Sequence, residues 1–469
     1  MGTACTAEPQ VVKARRRCGH AATPVAQRRR KHTVTPVARR RCGRTVTRVG
    51  RRHGARHGSC EGVAQTRGIP RKDIRDSGHH GCMADKSEGR RMGNILDYLS
   101  WRGDLTFDTD PFNEVDSLIL CQLSYLDLSG VVDEEGHGAT VRQAAKRFAA
   151  LHVEDDGAPG GLVSPLTPLV LEAMAASERF ANARLFHYAE HLDDAAGEQF
   201  AAISVKLGDG STYVAFRGTD NTFAGWREDF AMTYTVVGAQ TRALGYLEAT
   251  RKSTRGTLRV GGHSKGANLA VYAVAMSGWR TQRRIVDVWV HDGPGFDEST
   301  VNGAKLEAIA PKVRRYVPEF CVVGQIMSQP YPYEVVASAT SGVMQHSGMN
   351  WQVKGNRFER RDVIDARALR FGEIFSNAIK DHDMDFRRRF TSCFFDALEA
   401  GGKTMGELSE DAPASYLRVA RAYSTIDTDV RDAVTEVIGL LVGEAISKGI
   451  ADAGTSAAGV VANLFSSKR

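Results

Sequence analysis

Residues 257–278, TLRVGGHSKGANLAVYAVAMSG, constrain the fold more tightly than any other stretch of the chain. A short β-prone run enters Gly262-His263-Ser264-Lys265-Gly266, and a helix of small residues leaves it, with Ala267, Ala270 and Ala273 along its length. This is the sequence form of a strand–elbow–helix turn. The serine sits on a strained corner with its hydroxyl projected outward, and the flanking glycines let the backbone pass itself without a Cβ clash. A chain with 47 glycines can produce the pattern by chance. A plain glycine-rich turn around a buried serine is the competing reading, and the neighbouring motifs have to separate the two.

The 469-residue chain divides by charge at residue 92. Residues 1–91 hold 23 Lys and Arg against 6 Asp and Glu, which leaves 39 against 49 in residues 92–469. The net charge of +7 therefore hides an acidic body behind an Arg-rich leader. The leader has almost no aromatic or long aliphatic residues, so it cannot bury enough apolar surface to offset its ordering entropy and is expected to be disordered. Three readings of it stay open: an over-extended gene start with Met92 as the natural initiator, an inert tail, and an arm that binds nucleic acid through phosphate contacts. It lacks the aromatic platforms and folded motif of sequence-specific readout, so no specific nucleic-acid partner is expected. Cys5, Cys18, Cys42, Cys60 and Cys82 fall in the leader without a paired CxxC, so no structural metal is expected. The body has only Cys121, Cys321 and Cys393, which suits a reducing compartment. With no apolar signal core and no run of about 18 apolar residues, a cytoplasmic location is expected.

From residue 92 onward strands alternate with helices, which predicts an α/β fold with a mostly parallel sheet covered by helices. Helical spacing covers 113–130 and 140–152, and LVLEAMAASERFANARLF (169–186) is expected to be helical throughout. EQFAAISVKLGDGSTYVAFRGTD (198–220) reads as two strands around a Gly-Asp-Gly turn. Strands are expected in 284–291, 312–320 and 333–338, and an edge hairpin in 351–360. The predicted organisation is a leader over 1–91, a hydrolase-like domain over 92–360, and a helical region over 361–469 packed on it. The stripe in 430–453 is expected to pack in the core.

A serine nucleophile needs a base, an acid to orient that base, and donors for the oxyanion. Downstream of Ser264 stand His291, His346 and His382. His382 lies in a polar helix and His291 at a buried strand end, whereas His346 lies in the Gly- and Ser-containing SGVMQHSGMNW, so it is the expected base. Asp292 follows the strand VWVH directly and is the expected acid, with Asp297 the alternative. The oxyanion donors are expected to be the N–H groups of Thr219, in VAFRGTD, and of Lys265. FAGWREDF (223–230) could wall the site. No cofactor is expected.

FRGTD followed by GGHSKGANLA resembles the arrangement of class-3 lipases. MGNILDYLSWRGDLTF, FRGTDNTFAGWREDF, HDGPGF, VPEFCVVGQIM and QHSGMNWQV together more closely resemble the bacterial Mbeg-like family, over most of 92–400. The resemblance implies an α/β-hydrolase fold and a serine nucleophile. One position departs: where class-3 lipases carry the acid, this chain has Cys321, which cannot serve. The sequence-level expectation is a serine hydrolase acting on a small-molecule or lipid acyl ester. A non-catalytic hydrolase-fold scaffold that binds a lipid or protein partner is the alternative.

Overall fold

A computed structural model describes residues 93–437, apart from 133–137, 153–163, 194–197, 220–222 and scattered positions between 405 and 436. The leader and most of the 430–453 stripe lie outside the described residues. In chain order the elements are α1 (Ile95–Arg102), α2 (Glu114–Leu123), β1 (Ala139–Thr140), α3 (Val141–Leu151), α4 (Thr167–Ala176), β2 (Arg184–Asp193), β3 (Glu198–Lys206), β4 (Thr212–Phe216), α5 (Phe223–Ala231) and α6 (Gly238–Ser253). There follow β5 (Leu258–His263), α7 (Lys265–Met276), α8 (Trp279–Gln282), β6 (Ile285–His291), α9 (Gly303–Ile309), β7 (Val313–Pro318) and β8 (Tyr333–Val336). The remainder comprises β9 (Val353–Lys354), β10 (Arg357–Phe358), β11 (Arg360–Arg361), α10 (Ala366–Lys380), α11 (Met384–Glu399) and α12 (Ala412–Tyr423).

Nine strands form one sheet in the order β1-β2-β3-β4-β5-β6-β7-β8-β11. The five strands β4 to β8 are parallel, and antiparallel pairs extend the sheet on both sides. Parallel neighbours need crossovers, and the helices α5 to α9 supply them between β4 and β7. The period of two in a strand then sorts side chains onto two cores. Tyr213 and Ala215 of β4 face a core built with α1 to α4, whereas Val214 and Phe216 face one built with α6, α7 and α9. Trp289 of β6 joins the first core and Val288 and Val290 the second. With helices on both faces of a parallel centre, this is an α/β-hydrolase fold, as expected.

One expectation fails. The segment 169–186 is not one helix: α4 stops at Ala176, and Arg184 already opens β2. A bulge between Phe186 and Ala189 places His187 at φ 53°, which breaks the alternation that would have marked a strand.

Helix α2 is buried along its whole length and carries a polar brace. Its Asn113 cap forms a capping box with Asp116. Asp116 also accepts from Tyr98 Oη at 2.9 Å and from Arg179 Nε and Nη2 at 2.7 and 2.5 Å. Both side chains of the Arg179–Asp116 pair are fully buried. A third core joins α10 and α11 to α5 and to the segment after β7, through Phe223, Phe230, Phe320, Phe371, Phe375, Phe394 and Phe395 among others.

Candidate active site

Strand β5 ends at His263, and Ser264 caps α7 at φ 59° and ψ −131°. Among the described residues only His187, Ser264, Asp292 and Met327 combine a side chain with positive φ. Such geometry strains an L-residue and concentrates at functional turns. The corner closes because Gly262 and Gly266 meet backbone to backbone. A Cβ on Gly262 would collide with the Gly266 carbonyl group, and one on Gly266 with the Phe216 carbonyl.

Asp292 stands one residue past β6, fully buried at φ 48°. Its amide donates to the Tyr316 carbonyl at 2.9 Å, and its Oδ1 accepts the Gly324 N–H at 3.1 Å. Its Oδ2 lies 2.6 Å from His346 Nδ1. A carboxylate can only accept, so the shared proton is the ring's Nδ1–H, and the neutral imidazole presents a bare Nε2. His346 ends a short 3-10 turn, Gly342–His346, and is buried. His346, Ser264, Thr219, Trp226, Gln122 and Tyr125 line one pocket, together with His263 and the Ser347-Gly348 pair. Among the described residues no hydrogen bond joins Ser264 to His346. Catalytic hydrogen bonds are commonly long before substrate binds.

Asp297 is elsewhere engaged. It accepts from Ser299 N–H at 3.0 Å and pairs with Arg387 at 3.3 Å; burial pushes its carboxyl up, but the bonds to Ser299 and then Arg387 outweigh this and hold it below the usual range. The other histidines separate equally well. His382 is exposed and stacks on Phe386. His291 is buried, with Nε2 2.9 Å from Ser117 Oγ, and burial pushes its pKa down to about 3.

Thr219 reaches the pocket, but its hydroxyl donates to Asp229 at 2.5 Å, which leaves its N–H as the group to offer a ligand. Lys265 begins α7, where backbone N–H groups have no partner within the helix. Its side chain is fully buried; Nζ bonds Glu228 and lies 4.0 Å from Asp229. Burial pushes Asp229 up to about 7 against the pull of Lys265 and the Thr219 bond, and it raises Glu228 as well.

His263 was not among the expected site residues. Its Nε2 lies 2.7 Å from the His346 carbonyl, so that nitrogen carries the proton, and Nδ1 accepts from Tyr125 Oη at 2.9 Å. Burial, then the neighbouring His346, holds its pKa well below the ordinary value. His263 thus props the backbone of the His346 turn. A search for bases that runs only downstream of the serine passes over it. Tyr125 and Gln122, from the end of α2 and just beyond it, carry no motif at all.

Among the described residues no group of three or more His, Cys, Asp or Glu could hold a metal ion, and no helix is long and apolar enough to cross a membrane.

The sheet, the elbow and the pocket beside it define a hydrolase-like fold, with the candidate site at the carboxyl ends of the parallel strands. Residues 174–396 match the Mbeg1-like family model, so the resemblance read from the motifs holds over that stretch. No curated protein matches. Among solved structures, a mutant form of MDLA from Penicillium cyclopium is 12% identical over 52% of this chain and 84% of that one, with a TM-score of 0.31. M37 lipase is 12% identical over 70% of this chain and 98% of that one, with a TM-score of 0.28.

Proposed function

We propose that the protein is a serine hydrolase that cleaves an acyl ester. The observation that carries this reading is the buried His346–Asp292 pair, 2.6 Å apart, whose His346 lines the same pocket as the strained Ser264. In the proposed reaction Ser264 Oγ attacks the ester carbonyl while its proton passes to His346 Nε2. Asp292 keeps the ring oriented and balances the imidazolium. The N–H groups of Thr219 and Lys265 receive the oxyanion. Collapse of the intermediate breaks the carbon–oxygen bond, and His346 returns the proton to the leaving alcohol. Water then repeats the sequence on the acyl-enzyme, giving the carboxylic acid and free Ser264.

The test is labelling by a fluorophosphonate probe. The full-length protein should be labelled, and Ser264→Ala should lose the label. Labelling that survives Ser264→Ala removes the nucleophile from this account. A protein that folds but never labels supports the scaffold reading.

A further inference from the structure

Helix α5 borders the pocket through Trp226 and is held from two sides. On the inner side, the Lys265 ammonium, one residue past Ser264, bonds Glu228 and lies near Asp229. Asp229 in turn holds the Thr219 hydroxyl, and Glu228 also accepts the Gln199 N–H of β3 at 3.3 Å. On the outer side, the Phe230 ring packs against Phe375, Phe394 and Phe395 with centroids 4.7, 5.6 and 4.8 Å away. Arg227 pairs with Asp396 at 2.7 Å and with Glu399 at 3.2 Å, both on α11. The Phe223 N–H donates to the Lys403 carbonyl at 3.0 Å. Moving α5 outward would strip a buried ammonium of its counter-charge and open an aromatic core together.

The enclosed space over Ser264 is small, about 20 Å³, and the rest of the pocket opens to the surface. The enclosed part has room for about one water-sized group, which suits a methyl held at the serine with the alcohol lying in the open mouth. The enclosed part offers an extended acyl chain little depth beside the serine while α5 stays in place.

We propose that α5 is a fixed wall pinned by Lys265, and that the site takes the shortest acyl groups, acetyl above all, on water-soluble alcohols. This rests on the serine-hydrolase reading and narrows its substrate class. Lys265 acts here as a positioning residue through Glu228 and Asp229. The cluster is unlike the usual surface lysine, which keeps its charge in water.

The experiment uses the full-length protein and p-nitrophenyl esters of acetate, butyrate, octanoate and palmitate. Acetate should exceed octanoate in kcat/KM by about 100-fold, within the range over which pocket size discriminates. Activity should show no jump when an ester passes its solubility limit. Trp226→Ala should narrow the acetate-to-octanoate ratio about tenfold. The paired variant Lys265→Met/Glu228→Gln removes both charges and so avoids an orphaned buried ion. It should narrow the same ratio and speed hydrogen exchange of the α5 amides, which in the wild type should exchange as slowly as those of α6. Octanoate turnover equal to acetate, a rate jump at the solubility limit, or fast α5 exchange in the wild type overturns the proposal while labelling of Ser264 leaves the hydrolase reading intact. Absence of both labelling and acetate turnover overturns the two together.

Discussion

Two buried polar networks centre on Asp116 of α2 and on Asp292 at the end of β6, and they solve different problems. Around Asp116 the donors Tyr98, Asn113 and Arg179 saturate one carboxylate, and Arg179 also donates to the carbonyls of Leu105 and Asp110 at 3.0 and 2.9 Å. Around Asp292 the carboxylate has fewer partners, and the chain of bonds runs outward through His346 to a pocket. The first network is closed on itself and ties α1, α2 and the Arg179 turn together. The second is left open at one end, which a scaffold does not require and a proton-transfer site does. His291, one residue before Asp292, bonds Ser117, one residue after Asp116, and so stands between the two.

Substitutions should separate the networks along these lines. The largest effect is expected from Asp292→Asn, which should lower kcat on p-nitrophenyl acetate by about 10⁴-fold. Asp297→Asn should leave kcat within the error of the assay, and an equal loss in both variants would undo the assignment of the acid. Asp116→Asn should cost about 3–5 kcal/mol in urea unfolding, because it leaves the buried Arg179 without its counter-charge. Its kcat/KM should match the wild type at temperatures where it stays folded; a specific activity loss there would merge the two networks.

The histidine between them gives a pH signature. His291 has a folded pKa of about 3 against an ordinary 6.5. Its folded-state pKa is depressed, so the unfolded chain binds the extra proton first as pH falls. The stability tied to neutral His291 is therefore complete above about 6.5 and is lost progressively as pH falls toward 3. The stability difference between wild type and His291→Asn should shift by about 3 kcal/mol in favour of the variant between pH 7 and pH 4. Equal slopes for the two proteins would contradict this. Smallest of all, Asn94→Ala should cost about 1 kcal/mol by removing the α1 cap, whose side chain accepts from Leu96 N–H at 2.9 Å, and should not alter kinetics.

The sequence carried the parts of this molecule that depend on local order. Ser264 stood out because a strand, two glycines and a small-residue helix flank it, and Asp292 because it follows an apolar strand directly. The pairing of Asp292 with His346 is long-range, yet strand ends converge in a parallel sheet, so position along the chain was informative. Lys265 was legible only as a backbone donor. Its partners Glu228 and Asp229 lie more than thirty residues upstream, and no spacing rule connects them. The same holds for Tyr125 and His263, which meet across 138 residues. Strand β2 was lost for a local reason, the bulge that spoils its alternation.

The positive φ angles at Ser264 and Asp292 carry a last consequence. Glycine adopts that geometry without penalty, whereas a side chain there costs about 1–2 kcal/mol. At Asp292 the buried bonds to Gly324 and His346 offset that relief, so a laboratory search for heat-resistant variants, scored on folding alone, would be drawn to glycine at Ser264. The sturdier protein it returned would have lost the hydroxyl that the proposed reaction needs. Stability and the proposed activity therefore pull in opposite directions at this one residue, and thermal selection of this chain needs a turnover screen run beside it.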